Sequence, residues 1–236
     1  MNKKILTIIV SLTFALASSV ANAGSFSIGV TGAIAKVSAD GTETTNAGDS
    51  GSANTNSTSV DNDNVPIASI FAEYHTDYYD ITIGVEHIPG SADVSNTDKT
   101  RNDVETSKTS DTTHNADARA FKANAEVENF NMLYAEIPVY NSLFIGAGLS
   151  EIDVNTNEVA SSNGGSYGNA SLDGTMYRIG FKGAMGDNSS YKVFYEMNDF
   201  DTLKLTSTGN SVADETNTIS ADLDVDMLKF AISYNF

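Results

Sequence analysis

Charged residues at alternate positions are the ones whose types and spacing could do chemistry. Glu73, Glu86, Glu136, Arg178, Lys182, Lys192, Glu196 and Lys229 each stand inside a stretch where apolar residues recur at every second place. Acids and bases are equal in number there, although the whole chain has a net charge of −18. That balance points to pairing in an enclosed space, because an unpaired ion is very costly to bury. Other candidates are thinner. His75, His87 and His114 make no His-x-x-x-His pair, so no zinc-protease site is expected. A nucleophile elbow is not expected either. The chain has no Cys, which removes disulfides, thiolate ligands and thiol nucleophiles. Asp199, Asp201, Asp222, Asp224 and Asp226 fall in two rows of the same parity as apolar neighbours. Carboxylate oxygens suit Ca²⁺ or Mg²⁺, but spacing alone does not make a site, so neither a metal nor a cofactor is expected.

Strands are the elements that would have to position these charges. Eight stretches alternate with period two: 26–34, 68–74, 81–86, 132–137, 143–150, 177–182, 191–197 and 228–236. Ile28, Ile83, Ile145 and Ile232 mark one face, and the charges mark the other. The charged face also carries Ser27, Gly29, Gly84, Gly146, Gly148 and Gly180. These are too small for a dense core, and the gaps they leave should take the long charged side chains. A turn centred near Asp187 sets Arg178 opposite Glu196 and Lys182 opposite Lys192. Counted from the chain end, Lys229 comes level with Glu196. The expected arrangement is a middle layer of Glu86, Arg178, Glu196 and Lys229, and a second layer of Glu73, Glu136, Lys182 and Lys192 nearer the periplasm.

Connections alternate in length. Long polar stretches at 38–64, 89–122, 155–174 and 202–218 look disordered read alone. Short ones lie at 76–79, 139–141 and 185–188. Part of 117–128 could extend the fourth strand, and a hairpin hidden in the second long stretch would raise the count to ten. This rhythm suits a closed antiparallel transmembrane up-and-down β-barrel of eight strands, with long outer loops and short periplasmic turns. Tyr74, Tyr78, Tyr79, Tyr140, Tyr191, Tyr234 and Phe236 would gather at the periplasmic boundary, where amphipathic rings collect. Residues 1–23 read as a signal peptide: Lys3 and Lys4, an apolar run, then Ala21-Asn22-Ala23. Cleavage is expected before Gly24, so residues 24–236 would form the barrel. The acidity excludes nucleic acid as a partner.

The final stretch Leu228-Lys229-Phe230-Ala231-Ile232-Ser233-Tyr234-Asn235-Phe236 resembles the closing strand of outer-membrane barrels. The chain is similar to the small eight-stranded OmpA/OmpX/opacity-protein ("porin family") type. That resemblance implies that the barrel-assembly machinery reads Phe230, Ile232, Tyr234 and Phe236. It further implies a monomer in the bacterial outer membrane, surrounded by lipid and lipopolysaccharide. The expected role is structural or surface-binding, without catalysis, with the lumen plugged by Arg178, Glu196, Lys229 and Glu86. The alternative is a narrow porin-like channel for small solutes or ions. A lipid-modifying enzyme at the outer rim, using His87 or His114, is the second rival, and a soluble periplasmic sandwich the third.

Overall fold

The computed structural model describes residues 24–45, 54–95, 99–110, 113–159, 166–208 and 217–236, and their side chains except at 45, 54, 99–123 and 158–159. The expected signal peptide lies outside them. Eight strands form the ring: β1 (Gly24–Thr45), β2 (Asn54–Thr76), β3 (Thr82–Asp93), β5 (Thr113–Tyr140), β6 (Leu143–Val159), β7 (Ala170–Ala184), β8 (Ser189–Phe200) and β10 (Asn217–Asn235). Each pairs antiparallel with its neighbour, and β1 pairs with β10 to close the barrel. Two further strands stand outside the ring. β4 (Lys99–Ser110) forms a hairpin with the far end of β5, and β9 (Leu203–Thr206) pairs with the start of β10. The second long stretch does contain a hairpin, but it lengthens the wall and leaves the ring at eight.

The register fixes the tilt. Starting from Val85 and stepping through Ala72, Ile28 and Tyr234 leads to Ser189 on β8. Stepping the other way through Leu133, Leu149 and Thr175 leads to Asp199 on the same strand. The ring therefore closes with a stagger of ten residues. At ordinary strand spacings this tilts the strands by about 40° and leaves an interior that side chains can fill.

Apolar side chains point outward around the half nearest the short turns. Ile145 and Ile232 are 40 % and 38 % exposed, whereas Arg178 and Glu196 are 3 % and 0 % exposed. Ile28, Val30, Ile70, Ile179, Val193 and Phe230 join the same outer belt. Tyr78, Tyr79, Tyr140, Tyr234 and Phe236 are exposed rings at its turn-end edge. A belt of this kind faces lipid in a membrane barrel and would face water in a soluble one.

Toward the loop end the pattern inverts. Outward positions become acidic or polar, and inward positions become apolar. On β10, Leu228, Phe230 and Ile232 face out below, while Asp222 and Asp224 face out above. Leu223, Val225 and Met227 then pack inside with Val37, Ile88, Phe130, Met132, Ile152, Leu172, Met176 and Phe200. Much of the sequence expected to be loop is thus strand wrapped on an apolar core. The outer edge of the belt is also where the strands bend. Asn64 on β2, Gly90 on β3 and Asn129 on β5 all have positive φ (63°, 99° and 54°), and each lies at a break in the register. Beyond Asn64 and Asn129 the inward positions change parity, from Ile67 and Val65 to Asn62 and Val60, and from Met132 and Phe130 to Val127 and Ala125.

Acids crowd the outside of this extension. Asp224 sits opposite Asp199, and Asp222 opposite Asp40. Partial burial, then Asp199, Asp226, Asp222 and Asp40, raise the Asp224 carboxyl above its usual value. A raised acid pKa means that the charged form weakens the fold at neutral pH. Asp224→Asn should therefore raise the unfolding temperature at pH 7 in low salt. The gain should fade as pH falls through the raised value toward the ordinary 3.8, where both proteins are neutral at this position. A gain independent of pH would refute the electrostatic cause.

Candidate functional site

Seven side chains from six strands meet inside the turn-end half: Glu73 (β2), Glu86 (β3), Glu136 (β5), Arg178 (β7), Lys192 and Glu196 (β8), and Lys229 (β10). None is more than 5 % exposed. Alternation aims each of them inward, and the antiparallel register sets their heights. Arg178 stands opposite Glu196, as the turn position predicts. Its Nη2 lies 2.6 Å from Glu196 Oε2 and 3.3 Å from Glu86 Oε2, and its Nη1 lies 3.0 Å from Glu136 Oε1. Lys229 Nζ is 2.8 Å from both Glu86 Oε1 and Glu196 Oε1. Lys192 Nζ joins Glu73 Oε1 at 2.5 Å and Glu136 Oε2 at 2.6 Å. Glu136 thus touches Arg178 as well as Lys192 and ties the two expected layers into one network.

Neutral donors complete it. Ser69 Oγ donates to Glu86 at 2.5 Å, Tyr134 Oη to Glu73 at 2.8 Å, and Asn198 Nδ2 to Glu196 at 3.3 Å. Aromatic rings fill the remaining volume. The Arg178 guanidinium lies 3.8 Å from the Tyr134 ring centre and 4.9 Å from that of Phe194. Lys192 lies 5.4 Å from the Phe144 ring and Lys229 5.7 Å from Phe194. Cations over ring faces are attracted by the ring quadrupole, more so when desolvated. The space among Thr31, Phe71, Glu73, Glu86, Tyr134, Arg178, Lys192 and Phe194 leaves no room for a water molecule.

The glycines serve a different purpose from the one expected. A Cβ at Gly84 would strike the Tyr134 ring, and one at Gly180 would strike Phe194. Only Gly146 makes room for a charged side chain, with Arg178 Cγ 2.9 Å from where its Cβ would be. The inward rings Phe71, Tyr134, Phe144 and Phe194 were visible in the alternation, on the charged parity, and mark the fill that a count of glycines and charges misses.

Lys182 does not belong to the network. It is the register partner of Lys192, and two like charges facing each other repel. Lys192 holds the interior carboxylates, while Lys182 turns to Asp80 in the β2–β3 turn at 2.7 Å, with its side chain 21 % exposed. It lines a turn-end vestibule of about 350 Å³ together with His75, Asp80, Lys192 and Asn235. His75 is held there by Ser27 and Thr82 at 3.1 and 2.9 Å, and its Nε2 lies 3.7 Å from Glu73 Oε2.

The remaining candidates are scattered. His87 points outward on β3, its Nδ1 2.9 Å from Asn131 Oδ1. The side chain of His114 lies outside those described. A Gly-x-Ser-x-Gly run does occur at 164–168, against expectation. Its Ser166 is exposed in the β6–β7 connection and forms a backbone bridge with Thr208 at 2.8 and 2.9 Å. Among the described residues no helix follows it to make the strand-to-helix turn that such a nucleophile needs. Asp199, Asp201, Asp222, Asp224 and Asp226 stay spread along two strands. Among the described residues no three His, Asp or Glu side chains converge to hold a metal.

Breaking a buried network by removing one partner leaves an uncompensated charge, which typically costs about 3–5 kcal/mol. Lys229→Met leaves Glu86 and Glu196 to share Arg178 alone and should destabilise the barrel by about that much, read as a fall in the urea midpoint in lipid. Lys182→Met breaks only a partly exposed pair and should cost about 1 kcal/mol or less. Equal effects would show that the interior charges are not energetically coupled.

No protein-family model matches the chain, and no curated protein matches it. Solved structures do match. The attachment invasion locus protein Ail of Yersinia pestis, in complex with the heparin analogue sucrose octasulfate, is 13 % identical, with a TM-score of 0.40 over 91 % of this chain and 100 % of that one. The outer membrane protein OprG from Pseudomonas aeruginosa is 12 % identical, with a TM-score of 0.41 over 91 % and 96 %. The outer membrane protease OmpT from Escherichia coli is 11 % identical, with a TM-score of 0.44 over 90 % and 97 %. All three are outer-membrane barrels, and the likeness is one of fold.

Proposed function

We propose that the chain is a plugged barrel of the bacterial outer membrane that holds its long outer extension as a contact surface. The observation that carries this reading is the sealed interior. Seven paired charges and four rings fill the turn-end half, and the space among them has no room for a water molecule. The exposed apolar belt supports insertion in lipid. No helix among the described residues is long and apolar enough to cross a membrane, so the strands would do the crossing.

On this reading the turn end faces the periplasm and the acidic extension faces outward. The partners are the surrounding lipid and lipopolysaccharide, with a monomer closed by its own β1–β10 seam. Phe230, Ile232, Tyr234 and Phe236 would serve the assembly machinery. They line the outer face of the closing strand, at 48 %, 38 %, 48 % and 67 % exposure. The role is binding or structural. His87 is engaged with the uncharged Asn131.

Purified protein in planar bilayers should show no repeatable openings. In cells it should fractionate with the outer membrane and change mobility on a denaturing gel only after boiling. Openings that Lys229→Ala alters would turn the network into an ion filter and overturn the plug.

A further inference from the structure

We infer that the wall between β2 and β3 is a lateral entry and binding site for one extended hydrocarbon chain, that of a free fatty acid. The ladder joining these strands is short. It runs from His75–Thr82 to Ile70–His87 and stops. Both strands continue, β2 back to Asn54 and β3 on to Asp93, but there they pair only with β1 and β5. The break is bounded at its head by Asn62, whose Nδ2 donates to the Asp93 carbonyl at 2.6 Å. From Asn62 to Ile70 the strand runs eight residue steps, about 26 Å, with no backbone pairing to β3.

Its margins are made of residues suited to staying apart. Two of the chain's three prolines border it, Pro66 and Pro89, and proline has no N–H to give to a ladder. Gly90, at φ 99°, bends β3 away. Ala68, Pro66, Pro89 and Gly90 are exposed and short, so no long side chain covers the slit. Parting such a wall separates side chains without breaking a row of hydrogen bonds.

The inner side of the slit is apolar, and an apolar groove leads to its foot. Inside, Val65 and Ile67 pack on a core that includes Ile88, Phe130, Met132 and Met227, and methionine adapts readily to a new neighbour. Outside, a groove of about 730 Å³ runs along the lipid face between the row through Tyr234, Ile28, Ala72 and Val85 and the row through Ile232, Val30, Ile70 and His87. It crosses six strands, from Ser189 on β8 to Asn131 on β5, about 24 Å at ordinary strand spacing, and ends at Ile70, His87 and Asn131, the foot of the break. Narrowness, apolar walls and length select an unbranched chain. The imidazole of His87 and the amide of Asn131 at the foot offer polar groups to a carboxylate.

The test uses the full chain in lipid nanodiscs. The protein has no Trp and no Cys, so Phe130→Trp places a single reporter behind the slit. Extending the register by two places Ala68 opposite Pro89, so Ala68→Cys with Pro89→Cys allows the slit to be locked by oxidation or a short bis-maleimide. Dibromostearic acid should quench the reporter saturably and at least two-fold. Locking should abolish that quenching, and brominated phospholipid alone should not reproduce it. Quenching that survives the lock, or that brominated phospholipid matches, would overturn the proposal, as would an unquenched reporter. Should Phe130→Trp fail the heat-mobility check for folding, Ile67→Trp at the inner margin reads the same outcomes.

Discussion

Four carboxylates enclosed in one small ring are the constraint from which the rest of the turn-end half follows. Glu73, Glu86, Glu136 and Glu196 could not stay ionised there alone, and their cations have to arrive from other strands. Arg178 answers three of them at once because a planar guanidinium offers donors in a fixed fork. Lys192 and Lys229 each join two more. The pairs span six strands, so the network fixes strand register as well as charge. A slip of one residue on β7 would send Arg178 to the lipid side and leave Glu86, Glu136 and Glu196 to the two lysines alone. The rings of Tyr134, Phe144 and Phe194 then occupy what the ions leave empty. Gly84 and Gly180 lie where those rings need the backbone bare.

A second constraint sets the other half. Where the outward residues cease to be apolar, the inward ones have to become so, because a wall with water on its outer face needs an apolar interior to hold it together. On β10 this exchange takes a single step, between Asp226–Met227 and Leu228–Lys229. The same chain is thus a membrane barrel below and an ordinary water-facing β-barrel above, sharing strands but not a core. Asp224 and its neighbours carry the cost of that exposure, since the acids on the outward face crowd one another there.

Much of this could be read from the sequence. Alternation located the eight ring strands, and the turn near Asp187 gave the Arg178–Glu196 pairing by counting alone. Lys182 escaped because counting fixes which residues oppose each other, not which of two facing lysines turns away. The upper walls escaped for another reason. Stretches such as 38–45 and 54–64 are rich in Ser, Thr, Asn and Asp, and composition suggested loop. Their signal is the apolar residue at alternate places, Val37 and Ala39 or Val60, and at Asn64 and Asn129 a bulge shifts the inward parity by one. A period-two pattern interrupted by a single extra residue looks like no pattern at all.

Those bulges also explain the discontinuity between β2 and β3. Asn64, Gly90 and Asn129 lie on three neighbouring strands at the same level, where the belt ends. Each extra residue bends its strand and sharpens the local twist. β1 and β2 bend together, and so do β3 and β5, because in each pair the ladder resumes beyond the bulge. Between β2 and β3 nothing resumes. Both strands turn at this level, and Pro66 and Pro89 cannot supply the donors that would rejoin them. Unpaired backbone beside hydrocarbon is strongly disfavoured, so the break has to begin at the edge of the belt and run outward from it. Ile70–His87 is where it begins. Charges and rings fill the barrel along its axis, and the bends leave its wall without backbone pairing between β2 and β3 beyond Ile70–His87.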